Sequence, residues 1–269
     1  MNAPHSSVFE ALRRRQPMLA TAAQICLIAV LPCLLAAWVD PRTVNGISAW
    51  IKPAKFFFSL SVYYATLAWF FGYLPHAAQA SRAGRFVIAA PLAAGALEMA
   101  WLLAAAVFGV PSHFNRSSLV WELAYAGAGL GAVTLLLAVL VQGLMLARDR
   151  QVPLAPAFRR ALVLGALLSF AATLVTAGVL SSGLGHAVGA NSGDAGGLPL
   201  MGWSRTAGDL RVAHFFALHL HQALPLVGWA VVRSGMRHAM LAVHGAAAVM
   251  LAWVVFTFVQ AQMGLPLIA

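Results

Sequence analysis

Seven long apolar stretches, cut by short polar breaks, dictate what this 269-residue chain can fold into. They cover residues 17–39, 53–74, 86–110, 119–147, 161–184, 210–232 and 239–263. A helix rises about 1.5 Å per residue, so roughly 20 apolar residues cross the ~30 Å hydrocarbon core of a bilayer. Lipid offers the backbone no hydrogen-bond partners, and a helix satisfies its own. The breaks suit helix ends: Asp40-Pro41-Arg42, Pro75-His76, Gly109-Val110-Pro111, and Arg148-Asp149-Arg150 followed by Pro153 and Pro156. The expected fold is all-α, a seven-transmembrane-helix bundle forming a single integral membrane domain over residues 1–269.

The charge content agrees. Only 9% of residues are charged and 61% are hydrophobic, whereas a water-facing domain carries about 25% charge. The net charge of +10 does not point to nucleic acid, because the basic residues sit in short clusters between apolar stretches, as in cytoplasmic loops. Arg13, Arg14 and Arg15 precede the first stretch, but its apolar part exceeds the roughly 7–15 residues of a signal-peptide core, so a retained helix is expected.

The distribution of lysine and arginine predicts orientation. With the N-terminus cytoplasmic and the C-terminus extracytoplasmic, eleven of the 17 fall inside: Arg13, Arg14, Arg15, Arg82, Arg85, Arg148, Arg150, Arg159, Arg160, Arg233 and Arg237. Six fall outside: Arg42, Lys52, Lys55, Arg116, Arg205 and Arg211. A bacterial-type inner membrane follows as the expected location. Trp38, Trp50, Trp121 and Trp203 near the outer ends fit an interfacial aromatic belt, while Trp101 and Trp253 lie mid-helix. The longest loop, residues 185–209, is glycine-rich and carries Asn191, Ser192, Asp194, Trp203 and Arg205. Cys26 and Cys33, seven residues apart on one helix, stand about 10 Å apart along its axis, too far for a disulfide.

The sixth stretch departs from the apolar pattern. At helical periodicity Arg211, His214, Leu218 and His221 share a face, and His219 shares another with Gln222. Ionisable groups within a bilayer face the protein interior or water, so this stripe is expected to line an internal seam. Depth along each helix suggests partners. His214 and Glu122 both lie roughly 5–8 Å below the outer surface, and His221 and Glu98 both lie roughly 17–18 Å down. Two polar levels are therefore expected, Glu122 with His214 and Glu98 with His221. His113, Asn115, Arg116, His186, Lys52, Lys55, Asp209 and Arg211 crowd the outer mouth. Against these readings, the histidines also suit plain interhelical hydrogen bonds, the lysines suit contact with lipid phosphates, and Glu122 suits solvent.

Three functions fit the constellation. The leading expectation is a redox protein holding haem b or a quinone, with His214 and His221 as candidate ligands and Arg211 and Lys55 meeting propionates. It would work with a small molecule or a protein redox partner. The second is a metal-dependent membrane enzyme using His113, His186, His214 and Glu122 on a transition metal. The third is a proton- or cation-coupled transporter using Glu98, Glu122 and His221. A bundle that only binds a partner protein completes the set.

Trp50-Ile51-Lys52-Pro53-Ala54-Lys55-Phe56, Ser112-His113-Phe114-Asn115 and Gly208-Asp209-Leu210-Arg211-Val212-Ala213-His214-Phe215 resemble segments of an uncharacterised group of bacterial multi-pass inner-membrane proteins. The resemblance implies the multi-pass fold and a shared outer-face cluster over most of the chain. It implies no activity.

Overall fold

The computed structural model describes residues 7–115, 117–183, 185–189 and 195–269. Arg116, Asn191, Ser192 and Asp194 lie outside them. The helices among the described residues are α1 (Val8–Arg15), α2 (Pro17–Val39), α3 (Ile51–Phe71), α4 (His76–Ala80), α5 (Arg82–Phe108), α6 (Leu119–Arg148), α7 (Pro156–Ser182), α8 (Leu210–Arg233) and α9 (Ala239–Gln262). Two small hairpins complete the order, β1 (Thr43–Val44) with β2 (Ile47–Ser48) and β3 (Ala187–Val188) with β4 (Gly208–Asp209). Six of the helices, α2 and α5 to α9, are long and apolar enough to cross a membrane. The seventh expected stretch is α3, a helix of 21 residues that is not among the six. It is less apolar because Lys52, Lys55, Ser59, Ser61, Tyr63, Tyr64 and Thr66 interrupt its phenylalanines and leucines.

The chain divides into two compact units, Met1–Val44 with Ser48–Met145, and Asn45–Ile47 with Leu146–Ala269. In the first, α3 packs most extensively on α2 and also on α5, with α1 lying against α2 and α3. Polar side chains tie the helices where their apolar faces meet. Ser61 Oγ donates to Ala23 O at 2.8 Å, Tyr64 Oη to Pro91 O at 2.9 Å, Tyr63 Oη to Leu135 O at 2.8 Å and Gln142 Nε2 to Leu67 O at 2.9 Å. Pro91, inside α5, cannot donate to the helix ladder. α2 turns Ile25, Ile28, Leu31, Leu35 and Trp38 outward, a fully apolar surface of the kind lipid covers. α1 is anchored by Arg15, whose guanidinium sits 4.2 Å from the Trp69 ring centre and 4.7 Å from that of Tyr73.

In the second unit α8 is central, with α7 and α9 both packed on it. Its buried stripe runs through Ala213, Ala217, Leu220, His221, Leu224, Gly228 and Val231, the three-and-four spacing of a helix face. Gly228 admits the close approach of Ala161, whose methyl a side chain there would overlap. Trp203 is 9% exposed, its ring 5.4 Å from Phe215 and 6.1 Å from Phe216. It is therefore a core aromatic, and the expectation of an interfacial belt residue is corrected: the neighbouring rings of α8 offer more contact than lipid would.

Candidate functional site

The first unit gathers ionisable groups beside the α5–α6 connection. α5 stops at Gly109, whose left-handed φ of 66° lets its N–H return to Ala105 O and Ala106 O. Pro111 follows, and the chain doubles back. Trp101 Nε1 on α5 donates to Ser112 O at 3.0 Å, pinning the returning loop, and Ser112 Oγ lies 3.1 Å from His113 Nδ1. Beyond it the buried Asn115 accepts from Ser117 N at 3.1 Å and Ser117 Oγ at 2.7 Å, which closes the loop before α6. The His113 ring thus enters between helices, its centre 6.3 Å from Phe56 of α3 and 5.4 Å from Tyr125 of α6.

Below it lies Glu98, 7% exposed. Glu98 Oε1 is 3.8 Å from His113 Nε2, beyond direct hydrogen-bond length. Glu98 Oε2 is buried and has no hydrogen-bond partner among the described residues. Lys52, at the start of α3, acts electrostatically on both groups. Burial, and then the Lys52 charge, hold the His113 imidazole down to about 3, against a smaller upward pull from its hydrogen bond with the Ser112 backbone. Near neutral pH His113 is uncharged and offers one donor and one acceptor. Lys55 lies one turn beyond Lys52 on α3 and is half-buried. Glu122 is exposed in the first turn of α6, where a helix N-terminus favours a carboxylate.

The second unit holds the other expected residues. Asp209, 1% exposed, caps α8 and grips its first turn. Its Oδ1 accepts from Arg211 N at 3.0 Å and Arg211 Nε at 2.9 Å, and its Oδ2 from Arg211 Nη2 at 2.7 Å and Ser204 N at 2.9 Å. Burial alone would raise its pKa. The Arg211 hydrogen bonds and charge, the Ser204 N–H and the nearby His186 outweigh burial and leave the carboxyl below its ordinary range. Arg211 Nη2 also donates to Gly202 O at 2.7 Å. His186, half-buried, gives its carbonyl to Leu210 N at 2.9 Å. On α8, His214 Nδ1 meets Thr176 Oγ1 at 3.4 Å, and His221 Nδ1 donates to Leu218 O at 2.7 Å. His219 Nδ1 donates to Phe215 O at 2.6 Å, and its ring lies over Phe215.

The structure thus joins Glu98 to His113, a pairing that depth along the helices does not reveal, because the loop carrying His113 folds inward. Each of the two depth-based pairs takes one residue from either unit. Of the four expected metal ligands, His113 and Glu122 belong to the first unit and His186 and His214 to the second. No group of three or more His, Cys, Asp or Glu able to hold a metal ion occurs among the described residues. His214 and His221 are about 10 Å apart along one helix, so they do not approach a single iron from opposite sides, and α7, which faces them, contains no histidine. Compared with protein families, curated proteins and solved structures, the chain matches none.

Proposed function

We propose that this chain is a seven-span protein of a bacterial-type inner membrane, N-terminus cytoplasmic and C-terminus extracytoplasmic, that binds a quinone or quinol head group at Glu98, His113 and Lys52. Six apolar helices, α3 as a seventh crossing and the eleven-to-six bias of lysine and arginine support the topology. The observation that carries the site is the buried, unpartnered Glu98 Oε2 beside His113. A buried acceptor left without a donor costs about 1–3 kcal/mol, so the carboxyl is arranged for something that brings one.

The chemistry of the neighbours narrows what that is. The Lys52 charge opposes a metal cation, and the Glu98 carboxyl opposes an anion. A neutral ring carrying carbonyl or hydroxyl oxygens suits both. Its carbonyl accepts from Lys52 or His113 and its hydroxyl donates to Glu98, beside the Phe56 and Tyr125 rings that pack on His113. Glu98 then exchanges the protons of the redox step, and the electrons pass to a partner redox protein. Haem at His214 and His221 is the weaker form of the redox reading, since both imidazoles lie on one helix face. A proton-coupled transporter using Glu98 is the second reading, favoured by a carboxyl inside an otherwise apolar helix.

Protein purified in mild detergent and extracted with organic solvent should release about one quinone per chain, and a Glu98→Ala variant of equal yield should release far less. Wild-type protein that neither retains nor binds added quinone refutes the reading. Flux in vesicles that depends on Glu98 would transfer the site to the transport reading.

A further inference from the structure

Residues 234–238, Ser-Gly-Met-Arg-His, join α8 to α9. Gly235 takes a left-handed φ of 68°, its N–H returns to Val232 O at 3.2 Å, and α8 stops there. The chain turns and starts α9 at Ala239. α7 starts nearby at Pro156, so the first turns of two helices and the end of a third surround one cleft of about 780 Å³. That volume is in the range of small-molecule sites. No side chain caps α7 or α9: Ala155 has no capping group and His238 makes no cap bond. The positive ends of both helix dipoles therefore open at the cleft. Its polar lining is Arg237, His238 and His244. Val232, Met236, Met240 and Leu241 supply an apolar wall, and all of these side chains are exposed.

His244 stands about 7.5 Å into α9 from Ala239, within a segment apolar enough to cross a membrane. Ionisable groups at that depth face the protein interior or water. His244 instead is exposed at the cleft, on the helix face it shares with Met240 and Leu241. An imidazole there calls for a polar partner arriving from the bilayer side. Charge says which. The cleft holds Arg237 and no Asp or Glu. Among the described residues the unit's side-chain carboxylates are Asp149, which accepts from Gln151 N at 3.0 Å, and Asp209, at the other end of α8. Arg159, near the start of α7, is held by Leu146 O, Asp149 O and Val152 O. We propose that this cleft binds one anionic phospholipid. Its phosphate lies at Arg237, His238 and the α7 and α9 N-termini, its glycerol region at His244, and its acyl chains along Met236, Met240 and Leu241. The apolar wall and the depth of His244 fit a molecule charged at one end and apolar along the rest, which a free phosphate is not. The site needs only that α7, α8 and α9 lie in a bilayer, and it is independent of the quinone reading.

The test is native mass spectrometry of the full-length protein in mild detergent, titrated with phosphatidylglycerol and, separately, with phosphatidylcholine of the same chains. Wild type holds one phosphatidylglycerol per chain about tenfold more tightly than phosphatidylcholine, the gain expected from one arginine and a helix N-terminus at a membrane surface. Arg237→Gln weakens phosphatidylglycerol about fivefold, and His244→Leu weakens it as well. Both side chains are exposed, so both variants keep the fold. Arg205→Gln, whose side chain reaches Ala269 O at the other end of the unit, leaves binding unchanged. Phosphatidylglycerol held no more tightly than phosphatidylcholine, or held as tightly by Arg237→Gln or His244→Leu as by wild type, overturns the site. Displacement of the lipid by millimolar inorganic phosphate overturns it too, and assigns the basic residues to a soluble phosphate.

Discussion

Removing the Asp209 carboxylate should weaken the second unit far more than a typical single substitution. Asp209→Ala deletes the N-cap of α8, worth about 1 kcal/mol. It strands the Ser204 N–H, bonded to Asp209 at 2.9 Å, at a cost of about 1–3 kcal/mol. It also leaves the Arg211 guanidinium without its carboxylate. Breaking a fully buried pair costs about 3–5 kcal/mol, and Arg211, 27% exposed, falls below that because water reaches it. These contributions overlap, so the expected loss is about 3–5 kcal/mol in all, which lowers the melting temperature in detergent by roughly 6–20 °C. Asp209→Asn keeps one oxygen for the cap and for Ser204, and should lose about half as much. The pH dependence has a definite sign. Because the folded carboxyl lies below its ordinary range, its stabilising effect is full above about pH 4 and fades as the pH falls through the folded value. Wild type therefore loses this increment in acid, and Asp209→Asn has none to lose. Thermal melts followed by intrinsic fluorescence across that pH range measure both effects. An Asp209→Ala variant melting within about 2 °C of wild type, or an Asp209→Asn variant with the wild-type acid slope, would refute the assignment of Asp209 as the anchor of α8.

Three further outcomes follow from the first unit. A side chain at Gly95 would overlap the Tyr64 hydroxyl, which is held by Pro91 O, so Gly95→Ala should cost about 1–3 kcal/mol in thermal melts. Gly127 has open space around it, so Gly127→Ala should be neutral or stabilising by up to about 1 kcal/mol. His113 is held neutral, down from an ordinary 6.5 to about 3, so protonating it opposes the fold. Stability is full above pH 6.5 and declines as the pH falls toward 3, and melts of His113→Gln should lack that slope.

Six long apolar helices were legible because local chemistry sets them. α2 occupies residues 17–39 as read, bounded by Pro17 and by Asp40 with Pro41, and α8 begins after Asp209, a good cap residue. α1 carried a signal that hydropathy overlooks: Ser7 and Glu10 form a capping box, three residues apart. The Asp209–Arg211 pair was also within reach of local reasoning, since the carboxyl caps the turn that carries the arginine. The Glu98–His113 pair was not. It depends on the loop after Gly109 folding back, which Trp101, Phe56 and Tyr125 secure from three different helices. Counting residues from a membrane surface assumes that loops stay outside it.

The central claim is that Glu98 and His113 hold a quinone. Trp101 is bonded to the loop that carries His113, and its ring centre lies 5.0 Å from that of Trp121, so a quinone bound there should quench their fluorescence. Titrating a short-chain quinone into purified protein should give saturable quenching that Trp101→Phe diminishes and that Glu98→Ala and His113→Ala abolish while both variants remain folded. Quenching that never saturates, or that persists unchanged in Glu98→Ala, would contradict the account.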